Sequence, residues 1–221
     1  MDIAAPSLAV SAVLHLGTLT AVVIYFRADL ARAVRFRSDP LGRKLLTLVA
    51  IGTLPVVVGL PLEGRLDQFQ DNVSNVGWAL IATGLILAFG QWAARGARTL
   101  SEGRISDAVV VGIAQAFALI PGISRSGATI AAGNTRGFAP EEAARFSFLL
   151  GVPAIAGAGL LQVPELAAAG SLGWDLLAGF ITAAVSGYLA IAILLTMIRK
   201  VGLLPFSVYT LAVGGLTLAV L

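Results

Sequence analysis

The sequence predicts an all-α membrane protein whose helices cross a lipid bilayer several times. Of its 221 residues, 57% are hydrophobic and only 12% are charged, whereas about 25% are charged in an ordinary soluble domain. The charged residues are gathered in short clusters, and long uncharged runs separate these clusters. About 20 helical residues cross the ~30 Å hydrocarbon core of a bilayer, so most of the runs can span it. A β-barrel is not predicted, because the runs do not alternate between polar and apolar residues.

Six spans and one re-entrant helix pair are predicted within a single membrane domain, 1–221. The spans cover about residues 8–26, 45–62, 74–94, 141–163, 175–198 and 203–221, and the re-entrant pair covers about 106–134. The re-entrant pair is predicted because the uncharged run from Ala108 is only 17 residues long and Pro121-Gly122 interrupts it. Neither half of this segment is long enough to cross, so the chain is expected to turn back inside the membrane.

Three spans in each half indicate an inverted repeat. With an odd number of spans, two related halves lie upside down relative to each other, as in many transporters. Such a repeat requires a second re-entrant hairpin before the first span, and the seven residues before Leu8 are too few to form one. The second half of the repeat is therefore predicted to be complete, and the first half is predicted to lack its hairpin.

Loop charges predict the orientation of the spans. The segment 27–44 is rich in Arg and Lys, whereas 63–71 carries a single basic residue. Basic residues concentrate in cytoplasmic loops, so 27–44 is predicted to be cytoplasmic. Alternation of the spans places three further basic segments on the same side: 95–104, Arg136 and 199–200. The net charge of +3 is attributed to these loops, and binding to nucleic acid is not predicted.

The strongest functional signal is the segment 115–129, which reads QAFALIPGISRSGAT. An arginine at mid-membrane depth costs at least ~2.5 kcal/mol, so Arg125 is expected to face a polar cavity and an anionic partner. Its planar guanidinium suits a pair of phosphate oxygens. Nearby hydroxyls and the free amides at the start of the second short helix add donors. The segment therefore predicts an anion site inside the membrane.

Eight residues of this segment form the predicted site. Those assigned to catalysis are Arg125, Ser124, Ser126 and Thr129, and those assigned to substrate binding are Gln115, Pro121, Gly122 and Gly127. Gln115 has two possible roles at this stage: it contacts the phosphate, or it only forms a hydrogen bond that bridges two helices. A nucleotide P-loop is excluded, because Ala128 follows Gly127 where the phosphate-binding lysine would stand.

Other polar residues of the spans favour structural roles. His15 is the single histidine, and a packing role is favoured over catalysis, although an ionisable group inside a membrane is a functional candidate by default. Glu141 and Glu142 follow Pro140 at a helix start, where acidic side chains complement the helix dipole, and this role is favoured over metal binding. The chain has no cysteine, which excludes disulfides, thiol nucleophiles and iron–sulfur sites.

The segment 115–129, together with EAARFSFLLGVP at 142–153, resembles the bacterial undecaprenyl-diphosphatase family, also called bacitracin-resistance proteins. LHLGTL at 14–19 and LPFSVY at 204–209 extend the resemblance over nearly the whole chain. It implies hydrolysis of undecaprenyl diphosphate to the monophosphate in cell-wall precursor recycling, with bacitracin resistance. It also implies a divalent metal, Mg²⁺ or Ca²⁺, a polyprenyl diphosphate substrate and the bacterial plasma membrane. Arg125 would then bind phosphate; a homodimer is a further interpretation, and the metal ligands are unknown.

The sequence departs from this family at its start. Family members begin with a re-entrant segment that contains Glu-x-x-x-Glu and Ser-Ser-x-Gly-His, and nothing before Leu14 matches either motif. One hypothesis is an active diphosphatase whose true start codon lies upstream. The alternative is a catalytically inactive protein that binds or transports a polyprenyl phosphate, and a third is a secondary transporter for a small anion. For the 221 residues as they stand, weak or absent hydrolysis is expected.

Overall fold

The computed structural model describes residues 8–59, 61, 69, 71–161 and 173–221. These residues form the helices α1 (Leu8–Tyr25), α2 (Arg27–Val34), α3 (Pro40–Gly59), α4 (Val73–Ala93), α5 (Ile105–Phe117), α6 (Arg125–Thr135), α7 (Pro140–Leu161), α8 (Trp174–Val201) and α9 (Leu204–Ala219). A short 3₁₀ helix at Leu100–Glu102 precedes α5. Within the described ranges, extended backbone pairs only at a single bridge between Arg98 and Phe138. The predicted all-α fold is confirmed.

Helices stand at all six positions where spans were predicted, and the protein is a polytopic membrane protein. Among the described residues, α3, α4 and α8 are long and apolar enough to cross a membrane alone. The pair α1 and α2 adds a fourth candidate only if it is one span, and the two helices are bent by 81°. The last helix, α9, has 16 residues and is shorter than the predicted span. The predicted span ends at 62 and 163 lie outside the described residues.

The re-entrant pair is present as α5 and α6, and both of its ends lie on the same side. Asp107, in the first turn of α5, is fully buried. Its carboxylate oxygens lie 2.8 Å from Arg136 Nε, directly after α6, and 2.8 Å from Arg98 Nη2. The start of α5 is thus tied to the end of α6, so the chain returns to the side from which it entered. The boundaries 105–135 agree with the predicted 106–134 to within one residue.

Close helix crossings hold this hairpin in the bundle. The hairpin packs against α3, α4 and α7, while α1 packs on α8 and α4 packs on α9. At the α3–α5 crossing, a Cβ atom on Gly112 would lie 3.0 Å from the Cα of Gly52. At the α4–α9 crossing, a Cβ atom on Gly214 would lie 2.9 Å from the carbonyl oxygen of Gly77. Small residues at these positions let the backbones approach closely, as is common between membrane helices.

Several loops that carry the basic residues meet at one end of the bundle. Arg145 on α7 donates to Asp29 on α2, with Nε 2.9 Å from Asp29 Oδ2. Arg199, in the last turn of α8, lies 3.5 Å from Glu141 at the start of α7. These contacts join the end of α8, the start of α7 and the 27–44 segment. That this end faces the cytoplasm follows from the loop charges and stays a prediction.

Candidate anion site at the tip of the re-entrant hairpin

The tip of the hairpin is a tight turn at Pro121-Gly122 that packs on α4. Gly122 has a φ of 92°, a backbone conformation that residues other than glycine rarely adopt. A Cβ atom on Gly122 would also lie 2.7 Å from the Cβ of Ala79. The glycine therefore allows both the turn and its contact with α4. Substrate contact by Pro121 and Gly122 stays a prediction.

Thr83 on α4 holds the turn in place. Its hydroxyl oxygen accepts the N–H of Ser124 at 3.1 Å, and its O–H donates to the carbonyl of Gly122 at 3.1 Å. The side chain is almost completely buried. These two hydrogen bonds connect the tip to a helix that is about 40 positions earlier in the chain, and no local signal in the sequence indicates them.

Ser124 caps α6, and its Oγ accepts the N–H of Gly127 at 3.1 Å. A Cβ atom on Gly127 would lie 3.0 Å from that Oγ, so glycine at this position leaves room for the cap. The first amides of α6 have no acceptors within the helix, and the positive end of the helix dipole points at the tip. Ser126 is half-buried, and its hydroxyl forms no hydrogen bond within the described part of the chain. Ser124 and Ser126 thus flank Arg125 in the chain at the start of α6.

Arg125 is half-buried, and its guanidinium lies against Gly151 on α7. A Cβ atom on Gly151 would lie 2.8 Å from Nη2 and 3.1 Å from Cζ. Arg125 Nη1 is buried and has no hydrogen-bond partner among the described residues. The half-buried Arg98, Arg136 and Arg145, in contrast, are all paired with carboxylates. An unbalanced buried cation is costly, so among these four described arginines Arg125 is the one with a free site for an anionic partner.

Thr129 and Gln115 occupy different environments in this region. Thr129 is fully buried, its O–H lies 2.8 Å from the carbonyl oxygen of Arg125, and its Oγ1 lies 2.6 Å from Ser147 Oγ. The hydroxyl is therefore engaged by the protein, and phosphate contact by Thr129 stays a prediction. Gln115 is 1% exposed, and neither its Oε1 nor its Nε2 has a partner among the described residues. One of the two predicted roles of Gln115 was a hydrogen bond that bridges two helices. The described residues contain no such hydrogen bond.

His15 and Glu142 both form hydrogen bonds within the protein. His15 Nδ1 lies 2.8 Å from the carbonyl oxygen of Ser11 in the preceding turn of α1. Glu142 accepts the N–H of Leu100 at 2.9 Å and pairs with Arg145 at 3.1 Å. Both observations agree with the structural roles that the sequence favours for these residues.

The described residues do not build a metal site. Across 8–59, 71–161 and 173–221, no group of three or more His, Cys, Asp or Glu side chains is arranged to hold a metal ion. Asp29, Asp107 and Glu142 instead pair with arginines. The donor set of the described residues therefore does not fit the divalent ion that the resemblance implies, and that ion stays a prediction.

A comparison with known proteins decides the family. The family model described as Bacitracin resistance protein BacA matches residues 2–216. The chain belongs to this family. The undecaprenyl-diphosphatase of Geobacter sulfurreducens is 41% identical, and the match covers 94% of this chain and 82% of that protein. The undecaprenyl-diphosphatase of Thermomicrobium roseum is 41% identical, with 97% and 84% covered. The protein named undecaprenyl-diphosphatase 2 in Mesorhizobium japonicum is 38% identical, with 92% and 83% covered. The resemblance to a BacA protein is confirmed.

The sequence did not predict the contacts that three residues of neighbouring helices make with the hairpin. These residues are Thr83 on α4 and Ser147 and Gly151 on α7. Ser147 and Gly151 lie four positions apart within the 142–153 segment, so a helix places them on one face. That spacing was the available signal. It indicates a shared face, but it does not indicate that the face lies against Arg125.

Proposed function

We propose that this protein hydrolyses undecaprenyl diphosphate to undecaprenyl monophosphate and inorganic phosphate. The observation that carries the proposal is the half-buried Arg125, whose Nη1 is buried without a hydrogen-bond partner and which has no carboxylate partner among the described residues. A diphosphate offers several anionic oxygens, and a guanidinium can bind two of them at once. The names of the relatives support this substrate over the inactive binding or transport protein.

The chemistry requires attack of an oxygen nucleophile on the terminal phosphorus and cleavage of the bond to the bridging oxygen. Arg125 and the first amides of α6 would stabilise the negative charge that develops on the phosphoryl oxygens. Ser124 and Ser126 would donate hydrogen bonds, and either is a candidate nucleophile. Attack by a serine would form a phosphoserine, which water would then hydrolyse to the free serine and inorganic phosphate. The segment 115–129 contains no Asp, Glu or His. The base that accepts the proton of the nucleophile must therefore come from another segment.

An apolar cavity beside the hairpin suits the hydrocarbon part of such a substrate. It has a volume of about 500 Å³ and lies between α4, α5 and α6. Its lining includes Ile123 and Ala128, which directly flank the segment 124–127. We place the polar headgroup at Arg125 and the apolar chain in this cavity, and both lie along α6. The arrangement supports a lipid diphosphate over a small soluble anion.

Phosphate release tests the proposal. The protein, purified in detergent, is given a polyprenyl diphosphate with Mg²⁺, and free phosphate is measured. The proposal is supported if the wild-type protein releases phosphate and the Arg125→Ala variant does not. Binding of the lipid without release would support the inactive alternative, and anion flux in vesicles that is indifferent to lipid diphosphates would support a transporter. The same assay decides whether these 221 residues suffice for turnover.

Three finer assignments belong to this proposal. We place the protein in the bacterial plasma membrane, where cell-wall lipid carriers are recycled. Activity is expected to fall when EDTA removes divalent ions and to return with Mg²⁺ or Ca²⁺. A homodimer is tested by sedimentation in detergent.

A further inference from the structure

Helices α6 and α7 pack in antiparallel register through three contacts, each about one helical turn from the next. The contact positions on α6 are Arg125, Thr129 and Gly133, and their partners on α7 are Gly151, Ser147 and Ala143. At the contact nearest the paired ends of the hairpin, a Cβ atom on Gly133 would lie 2.8 Å from the Cβ of Ala143. At the middle contact, the oxygens of Thr129 and Ser147 are 2.6 Å apart. The four-residue spacing on both helices means that one face of α7 sets the position of the Arg125 side of α6.

Gly151 makes room for the guanidinium of Arg125. A Cβ atom at this position would lie within 3.1 Å of Cζ as well as against the terminal nitrogens, which is closer than van der Waals contact allows. Glycine is disfavoured inside a helix because of its conformational freedom. The backbone of Gly151 is helical, with no positive φ, so steric space is the reason for glycine here.

Ser147 fixes the position of α6 along the axis of α7. Its hydroxyl and that of Thr129 are both buried, and the short contact between them links the two helix backbones. A slide of α6 along α7 would break this contact and move Arg125 away from Gly151. The Thr129–Ser147 hydroxyl contact and Gly151 therefore both fix the position of the Arg125 guanidinium.

We propose that Ser147 and Gly151 are positioning residues for the reaction. Together they hold Arg125 against the backbone of α7, so that Nη1 is left for the oxygens of the lipid diphosphate. This proposal rests on the proposed function and deepens it, since it says which part of the protein fixes the phosphate-binding group.

Gly151→Ala tests the positioning, and Gly157→Ala on the same helix is the matched control. A Cβ atom on Gly157 meets nothing within 4 Å. We expect kcat to fall at least tenfold in Gly151→Ala and to stay within twofold in Gly157→Ala, with both melting temperatures near that of the wild type. Full activity of Gly151→Ala would overturn the proposal.

A double-mutant cycle separates positioning from general packing. The probe is a polyprenyl methylenediphosphonate, in which carbon replaces the bridging oxygen, and its Kd is measured directly. Gly151→Ala is expected to weaken binding at least tenfold in the wild type and less than twofold in an Arg125→Lys background, because lysine lacks the two terminal nitrogens that crowd position 151. Equal losses in the two backgrounds would contradict a role through Arg125.

A cross-link tests the register without any activity. Since the chain has no cysteine, Thr129→Cys/Ser147→Cys introduces the only thiols. Oxidation is expected to join them, seen as the loss of two hydrogen atoms in the intact mass. The control pair Ala131→Cys/Ser147→Cys is expected to stay reduced, because Ala131 faces Gly90 on α4. Failure of the first pair to join would overturn the register. A joined pair, together with a wild-type protein that never releases phosphate, would instead contradict the proposed function alone.

Discussion

Arg125 and Asp107 lie in the same hairpin, and their charges are balanced in different ways. Asp107 is fully buried and receives hydrogen bonds from Arg98 and Arg136. Arg125 is half-buried beside Gly151 and pairs with no carboxylate among the described residues. A charge that is paired within the protein serves the fold, whereas a charge without a partner among the described residues is a candidate for binding a ligand. This difference supports the proposal that Arg125 binds the substrate.

Arg125→Ala is expected to reduce phosphate release by about 100-fold or more, the usual effect of removing a group that stabilises developing charge. Arg125→Lys should recover little, because lysine cannot bind two oxygens with a planar fork. Phosphate release from a polyprenyl diphosphate measures both variants. Arg32→Ala, at an exposed position on α2, is the control and should keep full activity. Undiminished release by Arg125→Ala would remove this residue from the site.

Thr83→Val tests the hydrogen bonds that hold the tip. Valine matches threonine in shape, but it leaves the N–H of Ser124 and the carbonyl of Gly122 without their partner. We expect a loss of about 1–3 kcal/mol in stability, measured as a lower melting temperature in detergent, together with slower phosphate release. Thr83→Ser keeps the hydroxyl and should behave like the wild type. Equal stability of the valine and serine variants would contradict this role.

At the scale of elements, the hairpin depends on its paired ends. Its helices have 13 and 11 residues, too few to cross a membrane. Asp107 joins the start of α5 to Arg136 after α6, and α3, α4 and α7 enclose the two helices. The depth of the tip in the membrane therefore depends on the contacts that join the start of α5 to the end of α6.

Asp107→Asn is expected to loosen these ends. The neutral side chain no longer balances Arg98 and Arg136, and we expect a loss of roughly 1–3 kcal/mol, below the usual value for buried pairs because water screens the partly exposed arginines. Thermal unfolding in detergent measures the change. Asp175→Asn, at an exposed position in the first turn of α8, is the matched control. An unchanged melting temperature in Asp107→Asn would show that the ends are held by other contacts.

At the scale of the whole molecule, the charges are unevenly distributed along the bundle axis. Ion pairs collect at the end formed by the loops after α1, α4, α6 and α8. The same loops carry most of the arginines and lysines. Basic loops stay in the cytoplasm during insertion, so this end is predicted to face it.

Cysteine labelling tests this orientation, because the natural chain has no cysteine to remove. Ser38→Cys and Ser101→Cys are at exposed positions near the charged end, and Gly173→Cys directly precedes α8 at the opposite end. An impermeant maleimide is expected to label the first two only in inverted vesicles and the third only in intact spheroplasts. Labelling of Ser38→Cys and Ser101→Cys from different sides would contradict the topology.

Much of the site was predictable because its signal is local. A proline and a glycine interrupt an apolar run, and an arginine follows where lipid would otherwise surround it. Ser124, Arg125 and Ser126 stand at the start of α6, and their roles in catalysis stay predictions. Thr129 was harder to place, since the hydrogen bond of its hydroxyl to Ser147 depends on which helix lies opposite. Spacing within one helix does not contain that information.

The sequence by itself determined that this is a helical membrane protein with a re-entrant pair and an arginine at its turn. These properties follow from hydropathy and from the need of each backbone amide for a partner in lipid, and both act over short stretches of chain. Only the tertiary structure decided that Thr83 holds the tip and that Gly151 makes room for the guanidinium. It also decided that Asp107 neutralises Arg136 and not Arg125. Such pairings join residues far apart in the chain, and they exist only once the helices have packed.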